Sequence, residues 1–270
     1  MAGFSPVSSS VTSADGTVIG YTATGAGPAV ILVDGALGSR EFGPMPRLAT
    51  MLGEHFTVYT YDRRGRGESA EVAPYSPDLE VEDLAAVIAA AGGSADVYGL
   101  SSGAALALEA ARHLPGIARL ALYEPPFIVD DSRPPQPEGF AAELAAMVEG
   151  GHRGDAAKAF LRYTGMPAAV VSFVALTPAW PKIKAVVHTV PHDLEMLREH
   201  QQGKPLDPAE WAGLTIPVLV AAGGRSSRFM HNATRAVADA LPSAEYVMLA
   251  GELHEVKPQA IAPILIGFFT

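Results

Sequence analysis

Apolar residues along this chain recur with two different periods, and the alternation between them predicts an architecture. Ala29 to Val33 is a short, wholly apolar and β-branched run, the pattern of a strand covered on both faces. Further strands are expected at Phe56 to Tyr61, Asp96 to Tyr98, Leu120 to Tyr123, Val218 to Ala222 and Glu245 to Leu249. Between them the pattern turns helical: Met45 to Gly53, Val81 to Ala91, Ala104 to His113, His231 to Leu241, and a last helix from Pro258 to Phe269. In the second of these, Val81, Leu84, Ala85 and Ile88 share one face. Near the start, Ser8 to Thr12 and Thr17 to Thr22 flank Ala14-Asp15-Gly16, a hairpin signal. Strands alternating with helices predict an α/β fold, a mostly parallel twisted sheet with helices on both faces.

The rhythm changes from Phe127 to about Glu210. β-Branched strand runs stop, Pro134, Pro135 and Pro137 form a joint, and helices are expected at Phe140 to Val148, Asp155 to Tyr163, Ala168 to Ala175 and Ile183 to Leu197, with Pro191 a break point in the last. The stretch reads as a helical insertion (127–210) in a core made of 1–126 and 211–270.

Composition narrows what such a fold does. Of 270 residues, 49% are apolar, enough for a sizeable core. The 29 Asp and Glu outnumber 19 Lys and Arg, and the net charge of -10 repels phosphate backbones and anionic membranes, so neither nucleic acid nor membrane is an expected partner. Cysteine is absent, which removes disulfides, thiolate metal sites and thiol nucleophiles. Met1 to Ser10 shows no basic start followed by an apolar run, and no stretch of about 18 apolar residues occurs, so a soluble, cytoplasmic protein is expected. No metal-ligand set of paired helical histidines with a carboxylate is read, and no cofactor is expected.

The candidate chemistry centres on Gly99-Leu100-Ser101-Ser102-Gly103, a G-x-S-x-G pattern between a strand and a small-residue helix. A serine on so tight a turn has its hydroxyl thrust out of the sheet, beside the free N–H groups of a helix start. A serine hydroxyl is a weak nucleophile until a base takes its proton, and histidine titrates near working pH. Eight histidines compete. His254 stands in the loop Gly251 to Glu255, after a strand and before the last helix; His188, His192 and His200 read as partly exposed on insertion helices, and His55, His113, His152 and His231 as helix ends or loops.

Four features in this order resemble the α/β-hydrolase superfamily across essentially the whole chain: the Asp34-Gly35 turn, the turn from Asp62 through Gly65-Arg66-Gly67-Glu68-Ser69, the Ser101 elbow and the late His254. The resemblance implies an α/β-hydrolase fold with 127–210 as a helical cap, Ser101 as nucleophile and His254 as base. A serine at 101 sets the chain apart from the dehalogenase and epoxide-hydrolase branches, which need Asp there. The acid departs from the common pattern, because the strand Val218 to Ala222 continues into Gly223-Gly224-Arg225-Ser226-Ser227-Arg228 without a carboxylate. Either the site is a dyad or the acid comes from elsewhere. Glu124 leads, closing the strand after the nucleophile's helix and keeping the order Ser, acid, His. Glu252 is a rival, and Asp130 and Asp131 weaker ones.

The chain is similar to zearalenone-type lactone hydrolases in three respects: a Glu after this strand, a Gly-x-Ser-Ser-Gly elbow, and Asp-Gly where others have His-Gly. The Ser102 amide is one oxyanion donor by position; the other is assigned by resemblance to Ala36, with Gly35 close behind. Asp34 either braces its loop or touches substrate. Arg63, Arg64 and Arg66 read as solvated loop charges, one of them pairing with Glu68. Trp180, in the Pro-braced loop Thr177 to Pro181, either contacts substrate or anchors the cap. The expected function is a serine hydrolase of a carboxylic ester or lactone, on a fairly apolar small molecule and without a cofactor. The alternatives are a cofactor-independent lyase, perhydrolase or thioesterase, and a ligand receptor on a retired hydrolase. Oligomeric state is not indicated.

Overall fold

Residues 6–270 are described by a computed structural model. The terminus read for a leader, Met1 to Ser10, therefore has its first five residues outside the described residues. Eight strands form one sheet: β1 (Val7–Thr12), β2 (Val18–Gly25), β3 (Ala29–Val33), β4 (Thr57–Tyr61), β5 (Ala95–Leu100), β6 (Ile117–Tyr123), β7 (Val218–Gly223) and β8 (Ala244–Leu249). Their spatial order is β1-β2-β4-β3-β5-β6-β7-β8. The hairpin β1–β2 and the β2–β4 pair are antiparallel, and every pair from β4 onward is parallel.

Strand alternation divides the sheet's core between its two faces. Ile31, Val33, Val97, Leu120, Leu122, Val218 and Val220 point to one side, where they meet α2 (Pro77–Ala90), α3 (Ser102–His113) and α9 (Arg228–Ala240). Val30, Leu32, Tyr98, Ala121, Tyr123, Leu219 and Ala221 point to the other and meet α1 (Met45–Leu52) and α10 (Pro258–Phe269). The near-continuous apolar strands of the sequence follow from this two-sided cover.

Between β6 and β7 the chain leaves the sheet for α4 (Phe140–Glu149), α5 (Arg153–Tyr163), α6 (Ala168–Val174), α7 (Trp180–Val186) and α8 (Val190–Leu197). These helices share their own apolar cluster, built on Leu144, Phe160, Ile183, Val187 and Leu194, and it extends to Leu37 and Phe42 of the loop after β3. Two expectations need correcting here. The single helix Ile183 to Leu197 is two helices joined by a 3-10 turn, Val187–Thr189, with Pro191 in the opening turn of α8. Trp180 opens α7 instead of sitting in a loop, because Pro181 takes a first-turn position where its missing N–H costs nothing.

The parallel register aligns the strand ends that lead into the candidate site residues. Val33 pairs with Gly99, Leu100 with Tyr123, and Tyr123 with Ala221. Asp34-Gly35-Ala36, Ser101 and Glu124 therefore emerge side by side from the carboxyl edge. The loop after β8 brings His254 to the same edge.

Candidate active site

Ser101 sits at φ 58° and ψ -124°, strained for a residue with a Cβ. The flanking glycines make the turn possible. A Cβ on Gly99 would lie 2.5 Å from the Gly103 carbonyl oxygen, and one on Gly103 would lie 2.4 Å from the Val33 oxygen. Among the described residues, the non-glycine residues with positive φ are Ser101 and Glu124, directly after β5 and β6, and Leu37 in the loop after β3.

The structure brings Ser101, His254 and Glu124 together. His254 Nε2 lies 3.1 Å from Ser101 Oγ, and His254 Nδ1 lies 2.8 Å from Glu124 Oε2. A carboxylate only accepts, so Nδ1 carries the proton and Nε2 is left to receive the serine hydroxyl's. Glu124 is fully buried, and its other oxygen accepts the Gly223 amide at 2.7 Å. Tyr123 supports the histidine loop by donating its hydroxyl to the Leu253 carbonyl at 2.7 Å. The other carboxylates weighed for the acid are engaged elsewhere or exposed. Glu252 accepts the Lys257 amide at the start of α10, Asp130 accepts from Ser132 and Asn232, and Asp131 faces solvent.

The turn after β3 lies close to Ser101: a Cβ on Gly35 would meet Ser101 Cβ at 3.0 Å. Neither the Ala36 nor the Ser102 amide donates to a backbone acceptor among the described residues. Asp34 makes no hydrogen bond to Ser101. Its Oδ1 accepts the Gly35 amide at 2.8 Å, while its buried Oδ2 has no partner and packs against Gly38 and Gly43. Burial, against the pull of Arg66 and the Gly35 amide, pushes the Asp34 carboxyl up to about 7. Trp180 is half-buried in the insertion's cluster, its ring against Gly154.

The three arginines after β4 are not solvated. Arg63, Arg64 and Arg66 are each about 1% exposed. Arg63 pairs with Glu80 at 2.6 Å and with Asp193 at 2.6 Å; Arg64 pairs with Asp83 at 2.7 Å and Asp15 at 2.6 Å; Arg66 pairs with Asp193 at 2.7 Å. Glu68 pairs with Arg40 instead. The loop charges are buried because their partners arrive from α2, α8 and the β1–β2 turn. One sequence signal could have found the α2 partners: Glu80 and Asp83 fall within the same helical stripe as Leu84, Val87 and Ile88. A carboxylate inside an apolar stripe asks for a buried cation.

The insertion histidines are partly exposed, as read, and His188 and His192 are held by neighbours. His192 stacks on Tyr75 with ring centroids 3.9 Å apart, and His188 Nε2 meets the Gly65 carbonyl at 2.9 Å. Both face Glu71, at 3.2 Å for His192 and 3.7 Å for His188. Among the described residues no group of three or more His, Asp or Glu side chains is arranged to hold a metal ion. No helix is long and apolar enough to cross a membrane.

Comparison with known proteins agrees with this architecture. A family profile described as "Alpha/beta hydrolase family" matches residues 25–263. No curated protein matches the chain. Among solved structures, an alpha/beta hydrolase from Sphaerobacter thermophilus is 44% identical, with a TM-score of 0.90 over 97% of this chain and 100% of that one. A hydrolase from Pseudomonas aeruginosa is 23% identical, with a TM-score of 0.77 over 97% of this chain and 98% of that one. A thermophilic esterase from Thermogutta terrifontis is 22% identical, with a TM-score of 0.73 over the same shares. At those lower identities the likeness is one of fold. The family profile and the Sphaerobacter likeness, each spanning most of the chain, carry the conclusion: this chain belongs to the alpha/beta hydrolase family.

Proposed function

We propose that the chain is a serine hydrolase that cleaves a carboxylic ester or lactone through an acyl-enzyme. The observation that carries the reading is the continuous relay from Ser101 Oγ to His254 Nε2 and from Nδ1 to Glu124, at 3.1 and 2.8 Å. In this reading His254 takes the Ser101 proton as Oγ attacks the carbonyl carbon. The oxyanion forms between the amides of Ala36 and Ser102, with Gly35 shaping the turn. His254 then protonates the departing alkoxide. Water deacylates the serine by the reverse sequence, and a lactone leaves as a hydroxy acid with both halves in one molecule. Glu124 holds the imidazole tautomer and stabilises the imidazolium without itself taking the proton.

The helices between β6 and β7 act as a cap, with 127–210 as its extent. Their apolar cluster reaches Ala36 and Leu37 beside the proposed oxyanion site, which favours an apolar acyl or alcohol portion. Trp180 belongs to that cluster and is the aromatic residue proposed to meet the substrate. Glu124 in the acid position and Asp34 in the turn support the kinship with zearalenone-type lactone hydrolases, and so a macrocyclic lactone among the substrates to try.

The test is a panel of aryl esters, acyl thioesters and macrocyclic lactones, run beside fluorophosphonate labelling. Ser101→Ala should lose labelling and at least about a thousandfold in kcat. Full turnover by that variant would sink the proposal. Glu124→Gln should lower kcat by about a hundredfold or more while Glu252→Gln stays within about twofold; the opposite result reassigns the acid.

A further inference from the structure

Asp193, on α8 of the insertion, is 1% exposed and lies beneath the proposed oxyanion site. Its Oδ1 accepts the Ser102 hydroxyl at 2.7 Å and Arg63 Nη1 at 2.6 Å, and its Oδ2 accepts Arg66 Nη2 at 2.7 Å. Arg66 in turn donates Nη1 to the Gly35 carbonyl at 2.6 Å and Nε to Thr189 Oγ1 at 3.0 Å. The Gly35–Ala36 peptide is trans, so its C=O and N–H point to opposite sides. The guanidinium that fixes the Gly35 carbonyl on one side therefore fixes the Ala36 N–H on the other. A cation on that carbonyl also polarises the peptide and makes its N–H a stronger donor.

The charges close on themselves. Arg63 and Arg66 face Glu80 and Asp193, two cations against two carboxylates, with Asp34 alongside. Burial pushes the Asp193 carboxyl up, but Arg66 and Arg63 outweigh it and hold the group below the ordinary carboxylate range. It therefore stays an anion. An ionised, fully satisfied carboxylate in a low-dielectric interior is a stiff anchor.

We infer that Asp193 is a positioning residue for the oxyanion hole. One carboxylate from the insertion holds both peptide units that supply the donors, the Ala36 amide through Arg66 and the Gly35 carbonyl, and the Ser102 amide through that residue's own hydroxyl. The hole is complete only when α8 is seated, so the insertion belongs to the catalytic apparatus as well as to substrate selection. The inference rests on the proposed function, because it takes Ser101 as the nucleophile and Ala36 and Ser102 as the donors.

The experiment uses the full chain with p-nitrophenyl butyrate as substrate and an alkyl trifluoromethyl ketone as inhibitor. The serine adduct of the ketone places an oxyanion in the hole. Asp193→Asn keeps the shape and an acceptor for Ser102 but loses the charge pair with Arg66. The expected result is a folded enzyme by circular dichroism, kcat lowered about 10- to 100-fold, and KM within about threefold. The ketone's Ki should rise by the same factor that kcat/KM falls. Arg66→Lys should fall between wild type and Arg66→Met, since an ammonium cannot serve Gly35, Thr189 and Asp193 together.

Wild-type kcat and Ki in Asp193→Asn would overturn the inference, as would a lowered kcat with an unchanged Ki. If Asp193→Asn fails to fold, Ser102→Ala removes only the hydroxyl link. A several-fold parallel loss in kcat/KM and ketone affinity there supports the inference, and no change in either overturns it. Ser101→Ala separates the two layers. If it keeps turnover, the proposed function falls and the inference with it; if it loses turnover while Asp193→Asn behaves as wild type, only the inference falls.

Discussion

Asp34 should make this protein less stable as the solution is made alkaline, and the effect can be isolated with one substitution. Its carboxyl is pushed from 3.8 up to about 7 by burial, while Arg66, Arg63 and the Gly35 amide pull it back and the Asp193 anion adds to the rise. In the unfolded chain the group ionises at its ordinary value. Between about pH 4 and 7 the folded protein thus holds a proton that the unfolded chain has released, and stability falls as pH rises through that window. Above about 7 the cost is complete and levels off. At about 1.4 kcal/mol per pH unit, the interval from 3.8 to about 7 comes to about 4 kcal/mol. Asp34→Asn removes the titration while keeping an acceptor for the Gly35 amide. Urea denaturation of both proteins from pH 5 to 8.5 gives the difference directly, and background titration of the other groups cancels. The variant's advantage should grow by about 1.4 kcal/mol per pH unit between pH 5 and about 7 and then stay flat. Parallel stability curves for the two proteins across the whole range would refute the reasoning.

The buried ion pairs give a sharper contrast. Glu80→Gln strips Arg63 of a partner in a site about 1% exposed and should cost about 3–5 kcal/mol in urea denaturation, whereas Glu68→Gln, at a side chain 73% exposed, should cost less than about 1 kcal/mol. Gly103→Ala would press a Cβ to 2.4 Å from the Val33 oxygen and 2.5 Å from the Asp34 oxygen. It should cost about 1–3 kcal/mol by thermal melting and lower kcat as well, since the relief moves the turn over Ser101. Leu176→Ser, on a residue 85% exposed, should change stability by no more than about 0.5 kcal/mol in the same melt.

The fold was legible because strand burial is written in single residues. The Ala29–Val33 run and the final helix Pro258–Phe269 match their sequence readings at both ends. Helix starts were harder where the first turn is polar. α2 begins at Pro77, four residues before the apolar stripe, and the signals there were Pro at the first turn with Asp78 and Glu80 beside it. The arginine network lay outside what periodicity can report. Arg63 and Asp193 are 130 residues apart in sequence, and nothing local to Asp62–Ser69 says that α8 will deliver a carboxylate onto it. Ser102 was read as an amide donor from its place after Ser101, but nothing in the sequence pointed to its hydroxyl's bond to Asp193, for the same reason.

The carboxylate against His254 shows how far strand order, together with a family resemblance, can carry such a reading. Glu124 and His254 are also 130 residues apart, yet both stood at strand ends that a parallel sheet must bring to one edge, and the structure sets them 2.8 Å apart. β6 and β7 are parallel neighbours, Tyr123 against Ala221, so a carboxylate leaving the end of either strand emerges at the same edge. β7 still contributes to the site without a side chain: its last residue, Gly223, donates its amide to the second oxygen of Glu124. The backbone at Glu124 takes φ 47° to direct the side chain there, a conformation that costs about 1–3 kcal/mol for a residue with a Cβ. Ser101, directly after β5, and Leu37, in the loop after β3, carry the same kind of strain. Among the described residues, positive-φ strain outside glycine follows three neighbouring strands on one edge, and two of the strained residues, Ser101 and Glu124, meet His254. It is what a site requires when its groups must leave the sheet sharply and converge, and it supports that edge as the place of the proposed chemistry.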